Sequence, residues 1–118
     1  MNVRYYISDK LRQIDETIEN EKAHFEDVEG AAIRYAHQGA KISSQRWSEI
    51  TDLGIKTDNK VDALRLIKDV LRNHFVVANS DKNKDFFKDK IRTEVLPKLE
   101  QKENYEGCLV VLQFIEDF

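Results

Sequence analysis

The chain is poor in the residues that staple, bend or interrupt a backbone. Its 118 residues include one cysteine, one proline and four glycines. A lone cysteine, Cys108, excludes an internal disulfide and points to a reducing compartment, so the cytoplasm is the expected address. So little proline and glycine argues against a turn-rich β-sandwich and for helices. No run reaches the ~20 apolar residues of a membrane span, and Met1 to Tyr6 carries no apolar stretch of signal-peptide length. No excess of one charge stands out either: 19 basic residues oppose 22 acidic ones, for a net charge of -3. That is not the strong positive charge of a general nucleic-acid binder. Phosphate-binding glycine loops, zinc-ligand spacings and nucleophile elbows are missing as well. No catalytic residues, no cofactor and no metal are therefore expected, and the chain is not expected to be an enzyme.

What the sequence does contain is helical patterning. From Ile7 to Tyr35, steps of four and three pick out Ile7, Leu11, Ile14, Ile18, Glu21, Phe25, Val28, Ala32 and Tyr35. Only Glu21 interrupts the apolar series. This is the signature of one long helix with a narrow seam, which the rest of the chain or a second copy must cover. Ser8 is the expected N-cap, and Gly39 the left-handed residue that ends the helix after about His37. Glu21 either fixes register as a polar break in the seam or lies where the seam meets water.

A short helix is expected next, capped by Ser43 or Ser44, with Trp47, Ile50 and Leu53 inward and Gly54 as its stop. Lys56 to Asn59 reads as a polar link. A third helix, from about Asn59 to Ala78, carries Val61, Leu64, Ile67, Val70, Leu71 and Phe75. A break is expected at Asn79-Ser80-Asp81. The following helix holds Phe86, Phe87, Ile91, Val95, Leu96 and Leu99, with a kink or break at Pro97. In Cys108 to Ile115, seven of eight residues are apolar. No second strand is there to pair with it, so it is read as a helix with Tyr105, Cys108, Leu112 and Ile115 on one face.

Four constellations merit weighing. Glu21 and His24 stand three apart, as in di-iron bundles, but no second such pair exists, and His24 reads as a flank of the seam. Ser44 to Ile67 resembles a helix-turn-helix around Leu53-Gly54-Ile55, which would place Lys60 and Arg65 near nucleic acid. Asp58 and Asp62 at the tip of its second helix oppose that use. The lysines Lys82, Lys84, Lys88 and Lys90, with Arg92, lie beside Phe86 and Phe87, yet Asp81, Asp85 and Asp89 interleave with them. Phe86 and Phe87 are adjacent and cannot both point straight inward, so one is a candidate anchor for a partner. Leu99 to Leu109 resembles the helical hairpin at the end of the nucleotide-excision-repair proteins UvrB and UvrC, through Tyr105-Glu106 and the small Cys108. Val110 and Leu112 depart from that pattern, so the resemblance implies only a local hairpin.

Charge is uneven. Residues 1–30 hold eight acids and four bases, and residues 56–103 hold twelve bases and nine acids. On the outer side of the first helix, Glu16, Glu19, Glu26 and Asp27 surround the small Ala23 and Gly30. The reading is a single all-α domain over 1–118, a compact bundle of four to five helices with a long N-terminal helix. Its expected role is a small protein-binding factor: an inhibitor, immunity-type or regulatory accessory protein of a bacterial or phage system. The expected contact residues are Glu16, Glu19, Ala23, Glu26, Asp27, Gly30 and Phe86, with a homodimer through the first helix. The alternative is a nucleic-acid-binding regulator using Lys60, Arg65, Lys84 and Lys88.

Overall fold

In the computed structural model, which describes residues 3–76 and 83–118, the seam of the N-terminal segment winds into one uninterrupted helix. Among the described residues, five helices follow one another: α1 (Val3–His37), α2 (Ser44–Val76), α3 (Lys84–Glu94), α4 (Leu96–Gln101) and α5 (Tyr105–Asp117). The protein is an all-α bundle with a long first helix, and no strand occurs among the described residues. The break expected at Asn79 to Asp81 lies outside those residues.

The seam is covered within the chain. α2 runs antiparallel to α1, as three pairings along the two helices show. The Asp15 carboxylate accepts from Lys68 Nζ at 2.6 Å. Glu21 faces Lys60 at 3.9 Å. Phe25 packs on Gly54. Ile7, Ile14 and Ala32 are buried, and Leu11, Ile18, Phe25 and Val28 are half-buried. Tyr35, the last member of the expected seam, is exposed instead. Glu21 is half-buried in the seam opposite a lysine, a cross-helix ion pair in place of an apolar contact.

Several ends were legible. Gly39 has φ +85° and closes α1, with Gly39 N donating to Ala36 O and Ala40 N to Tyr35 O. Ser43 Oγ accepts from Arg46 N at 3.1 Å and caps α2. Pro97 sits in the first turn of α4, where its missing N–H costs nothing, and the chain breaks at Val95 between α3 and α4. α4 and α5 form the expected hairpin. Its turn is a Schellman closure, with Asn104 N on Leu99 O and Glu103 N on Glu100 O, and Glu103 in the left-handed region at φ 57°.

Trp47, expected to point inward, is exposed, and beyond it and Tyr35 three further expectations are corrected. α1 begins at Val3, so Ser8 lies inside the helix, exposed, and caps nothing. Tertiary contact extends the helix past the candidate cap: Ile7 is fully buried, and Tyr6 stacks edge-on against Phe118 with its hydroxyl on the Phe118 carbonyl. The turn expected at Gly54 does not exist. α2 passes through 54–59 without a break, so the segment resembling a helix-turn-helix is one continuous helix with no turn and no separate recognition helix. Glycine there admits a close approach from α1. The Phe25 ring stands 3.0 Å from where a Cβ on residue 54 would be. The polar run Lys56 to Asn59 is compatible with a helix that buries only one narrow stripe, here Thr57. The third correction, the inner face of α5, belongs to the functional surface below.

The core is confined to one end of the molecule. It gathers Ile7 and Ile14 from α1, Ala63 to Leu71 from α2, Phe87 and Ile91 from α3, Val95 and Leu99 around α4, and Val111, Ile115 and Phe118 from α5 and its end. Beyond it, residues 19–37 of α1 and 44–60 of α2 continue as a two-helix arm. The molecule measures 62 × 28 × 20 Å. Its radius of gyration of 17.8 Å exceeds the roughly 13–14 Å of a spherical domain this long, and the arm is the reason.

Candidate functional site

α5 is built to be overlong in apolar surface. Asn104 caps it, its side-chain oxygen accepting from Gly107 N at 2.8 Å. The same side chain donates from Nδ2 to Asn59 O at 3.0 Å, tying the start of α5 to α2. Gly107 is required, because a Cβ there would stand 2.6 Å from the Asn104 amide. This anchoring sets the rotation of α5. Gly107, Val111 and Ile115 turn inward and are buried. Cys108, Val110 and Phe114 flank them. The face expected to be internal is therefore split: Ile115 is inside, while Tyr105 and Leu112 point to solvent.

Tyr105, Leu109 and Leu112 are 66%, 68% and 50% exposed. Their spacing of four and three places them on one stripe of one helix. Isolated exposed apolar residues need no explanation, but three large ones in register on a fixed helix form a patch. Beside the stripe runs an open groove of about 490 Å³, lined by Lys56 and Lys60 of α2 and by Glu106, Leu109, Val110 and Gln113 of α5. Its apolar wall is α5 and its basic wall is α2. Glu106 Oε2 is buried and has no hydrogen-bond partner among the described residues, a costly arrangement for a carboxylate oxygen.

The residues singled out from sequence are scattered by the fold. Glu16, Glu19, Ala23, Glu26 and Asp27 are exposed on the outer side of α1, and Gly30 is half-buried near the Arg34 guanidinium. They form an acidic, mostly solvated face without a large apolar side chain. Because α2 takes the seam, self-association through α1 would have to use another side of the helix, where Tyr5, Ile33 and Tyr35 are exposed as well. Phe87 is fully buried, whereas Phe86 is half-buried, edge-on to both His74 and Phe87 with ring centroids at 5.5 and 5.4 Å. Lys84 lies 4.0 Å from the Tyr6 ring centroid, at the far end of the body from Lys60, which faces Glu21. Tyr6 and Glu21 are about 22 Å apart along α1. Lys88 is half-buried on α3 and Arg65 exposed on α2, so these four cations do not make one patch.

Glu21 and His24 line a small recess of about 190 Å³ with Thr17 and Asn20. Among the described residues, no group of three His, Cys, Asp or Glu side chains converges as a metal-ligand set. Cys108 is half-buried, and burial, with the Glu100 charge as a second cause, pushes its thiol pKa up. That works against a nucleophilic thiolate. No helix among the described residues is long and apolar enough to cross a membrane.

Sequence reasoning did not pick out Tyr105, Leu109 and Leu112 as a surface. A signal was present. A segment with seven apolar residues in eight offers more apolar surface than one helix face can bury, so some of it must meet a partner or water.

Comparison with known proteins returns no matching family model, no matching curated protein and no matching solved structure.

Proposed function

We propose that the chain is a non-enzymatic protein-binding factor, of the inhibitor or regulatory accessory kind, working in a reducing cytoplasm. Its docking element is α5. The observation that carries this reading is the stripe Tyr105, Leu109 and Leu112, exposed on a helix whose rotation is fixed by the Asn104 cap. Fixed orientation matters, since a preorganised surface loses little conformational entropy on docking. Tyrosine and leucine at helical spacing suit helix-to-helix or helix-in-groove recognition. The adjacent Lys56 and Lys60 favour a partner that carries acidic residues beside its apolar contact.

A photo-crosslinker placed at Gln113, in the full chain expressed in its host, tests the proposal. A specific adduct is expected, and Leu109→Glu or Leu112→Glu should abolish it while leaving the helical circular dichroism unchanged. Adduct formation that is indifferent to both substitutions would refute α5 as the docking element.

A further inference from the structure

We infer that the tip of the two-helix arm is a separate binding site, for single-stranded nucleic acid. It goes beyond the reading of α5 as a docking element and does not depend on it. Charge is the first observation. Residues 30–48 cover the end of α1, the turn and the start of α2. They contain Arg34, Lys41 and Arg46 and no aspartate or glutamate, while the rest of the chain holds sixteen bases against twenty-two acids. The arm therefore presents a basic tip on an acidic remainder. All three cations are exposed. Arg46 meets Glu49 at 3.3 Å, whereas Arg34 and Lys41 have no ion pair among the described residues.

The side chains beside these cations are the second observation. Tyr35 is 61% exposed and Trp47 38%, one on each helix of the arm. Next to Tyr35 lies a recess of about 280 Å³ lined by Ala31, Arg34, Tyr35 and Gln38. Spacings of three, four and seven place these residues on one face of α1. Arg34 Nη1 lies 3.4 Å from where a Cβ on residue 30 would stand, so Gly30 gives the guanidinium room to lie along the helix. A flat ring, a planar cation and a side-chain amide thus surround a space fit for one base. Aromatic rings and guanidinium planes stack on unpaired bases, amides bond base edges, and cations meet phosphates. A duplex hides its base faces, so a single strand is the form that uses Tyr35.

A membrane surface asks for one continuous apolar face. Ile33 and Tyr35 are both exposed, but two residues apart they point to different sides of α1, and no such face forms. The acidic remainder repels a polyanion along most of the molecule's 62 Å length, so contact is end-on. Arg34 stands about 20 Å beyond Glu21 along α1, so a strand at the tip leaves the α5 stripe free. Three phosphate contacts give a modest affinity, with a slope of log K against log salt of about -2.

Trp47 is the chain's one tryptophan, so its fluorescence reports on the tip without a label. The full chain is titrated at about 50 mM salt with mixed-sequence single strands of roughly 12 nucleotides, DNA and RNA in separate arms. A saturable change with that salt slope is expected from at least one of them. Arg34→Glu with Lys41→Glu should weaken it about tenfold or more. Arg92→Glu with Lys98→Glu, the same change of charge at exposed positions of the body, should weaken it less than about twofold, because salt screens the distance. Tyr35→Ala should weaken it about fivefold, and Tyr35→Phe should retain it, since the ring stacks and the hydroxyl does not. Helical circular dichroism verifies the fold of each variant. No Trp47 response to either strand up to ~500 µM, or equal weakening by the tip and body pairs, overturns the inference. So does a response to poly-glutamate or to phosphatidylserine vesicles as strong as that to the single strand, which would make the tip an acidic-protein or membrane contact.

Discussion

The body and the arm are made from the same two helices and hold together differently. In the body, α1 and α2 are joined by α3, α4 and α5 around a core that includes the fully buried Ile67, Leu71, Phe87, Ile91, Leu99 and Val111. In the arm, α1 and α2 have only each other, and the buried side chains are Ala32, Ile50 and Thr57. Hydrophobic stabilisation scales with area removed from water, so the arm is the weaker region by construction. A helix does not reveal from its own dihedrals which regime it is in; its neighbours decide. Amide hydrogen exchange should show residues 19–60 opening at lower free energy than residues 61–76 and 85–117.

The comparison breaks most severely at Phe87. Phe87→Ala removes a fully buried ring from the body and should cost about 3–5 kcal/mol in denaturant unfolding, lowering exchange protection everywhere. Equal loss in the arm alone would mean that the body is not the cooperative unit. Gly54→Leu attacks the arm instead. Its side chain must displace the Phe25 ring, for an expected cost of about 1–3 kcal/mol confined mainly to residues 19–60. A uniform loss of protection would erase the distinction drawn between the two regions.

Asn104 joins the two regimes, because it caps α5 and bonds Asn59 near the base of the arm. Asn104→Ala should cost about 1–2 kcal/mol. Asn104→Asp keeps the acceptor for Gly107 N and loses the donor to Asn59 O, so it should retain more stability than the alanine variant. Equal losses would show that the cap contributes nothing. Cys108 reports on the body at alkaline pH. Burial raises its folded-state pKa above the unfolded value, so the neutral thiol favours folding. That contribution is complete below the unfolded pKa and is lost as pH rises through the folded one. Cys108→Ser should flatten the alkaline limb of the stability profile, and an unchanged limb would contradict the assignment. The smallest effect is expected at Glu21. Breaking its partly exposed pair with Lys60 should cost no more than about 0.5 kcal/mol, and less at high salt.

Those expectations mark which parts of the molecule could be read in one dimension. The α1 seam, the Gly39 closure, the Ser43 cap and the Pro97 break are local events. Each follows from a period of 3.6, a left-handed φ or a missing N–H, and each was legible. Gly54 was not, because a glycine that stops a helix and a glycine that admits a ring from across the interface look identical in sequence. Ser8 failed for a related reason. A good cap was present, but Tyr6 and Ile7 gained enough contact with the body to carry the helix past it.

The candidate site shows the same division more sharply. Residue order alone determined that this chain is helical, that its first segment is one long rod, and that the stretch 108–115 holds more apolar surface than one face can bury. Which of those apolar residues meet water was decided by the rotation of α5. That rotation is set by Asn104 reaching Asn59, 45 residues away in sequence. A periodic pattern fixes the separation of residues around a helix axis but not the zero of the angle, and the zero is supplied by the neighbours in space.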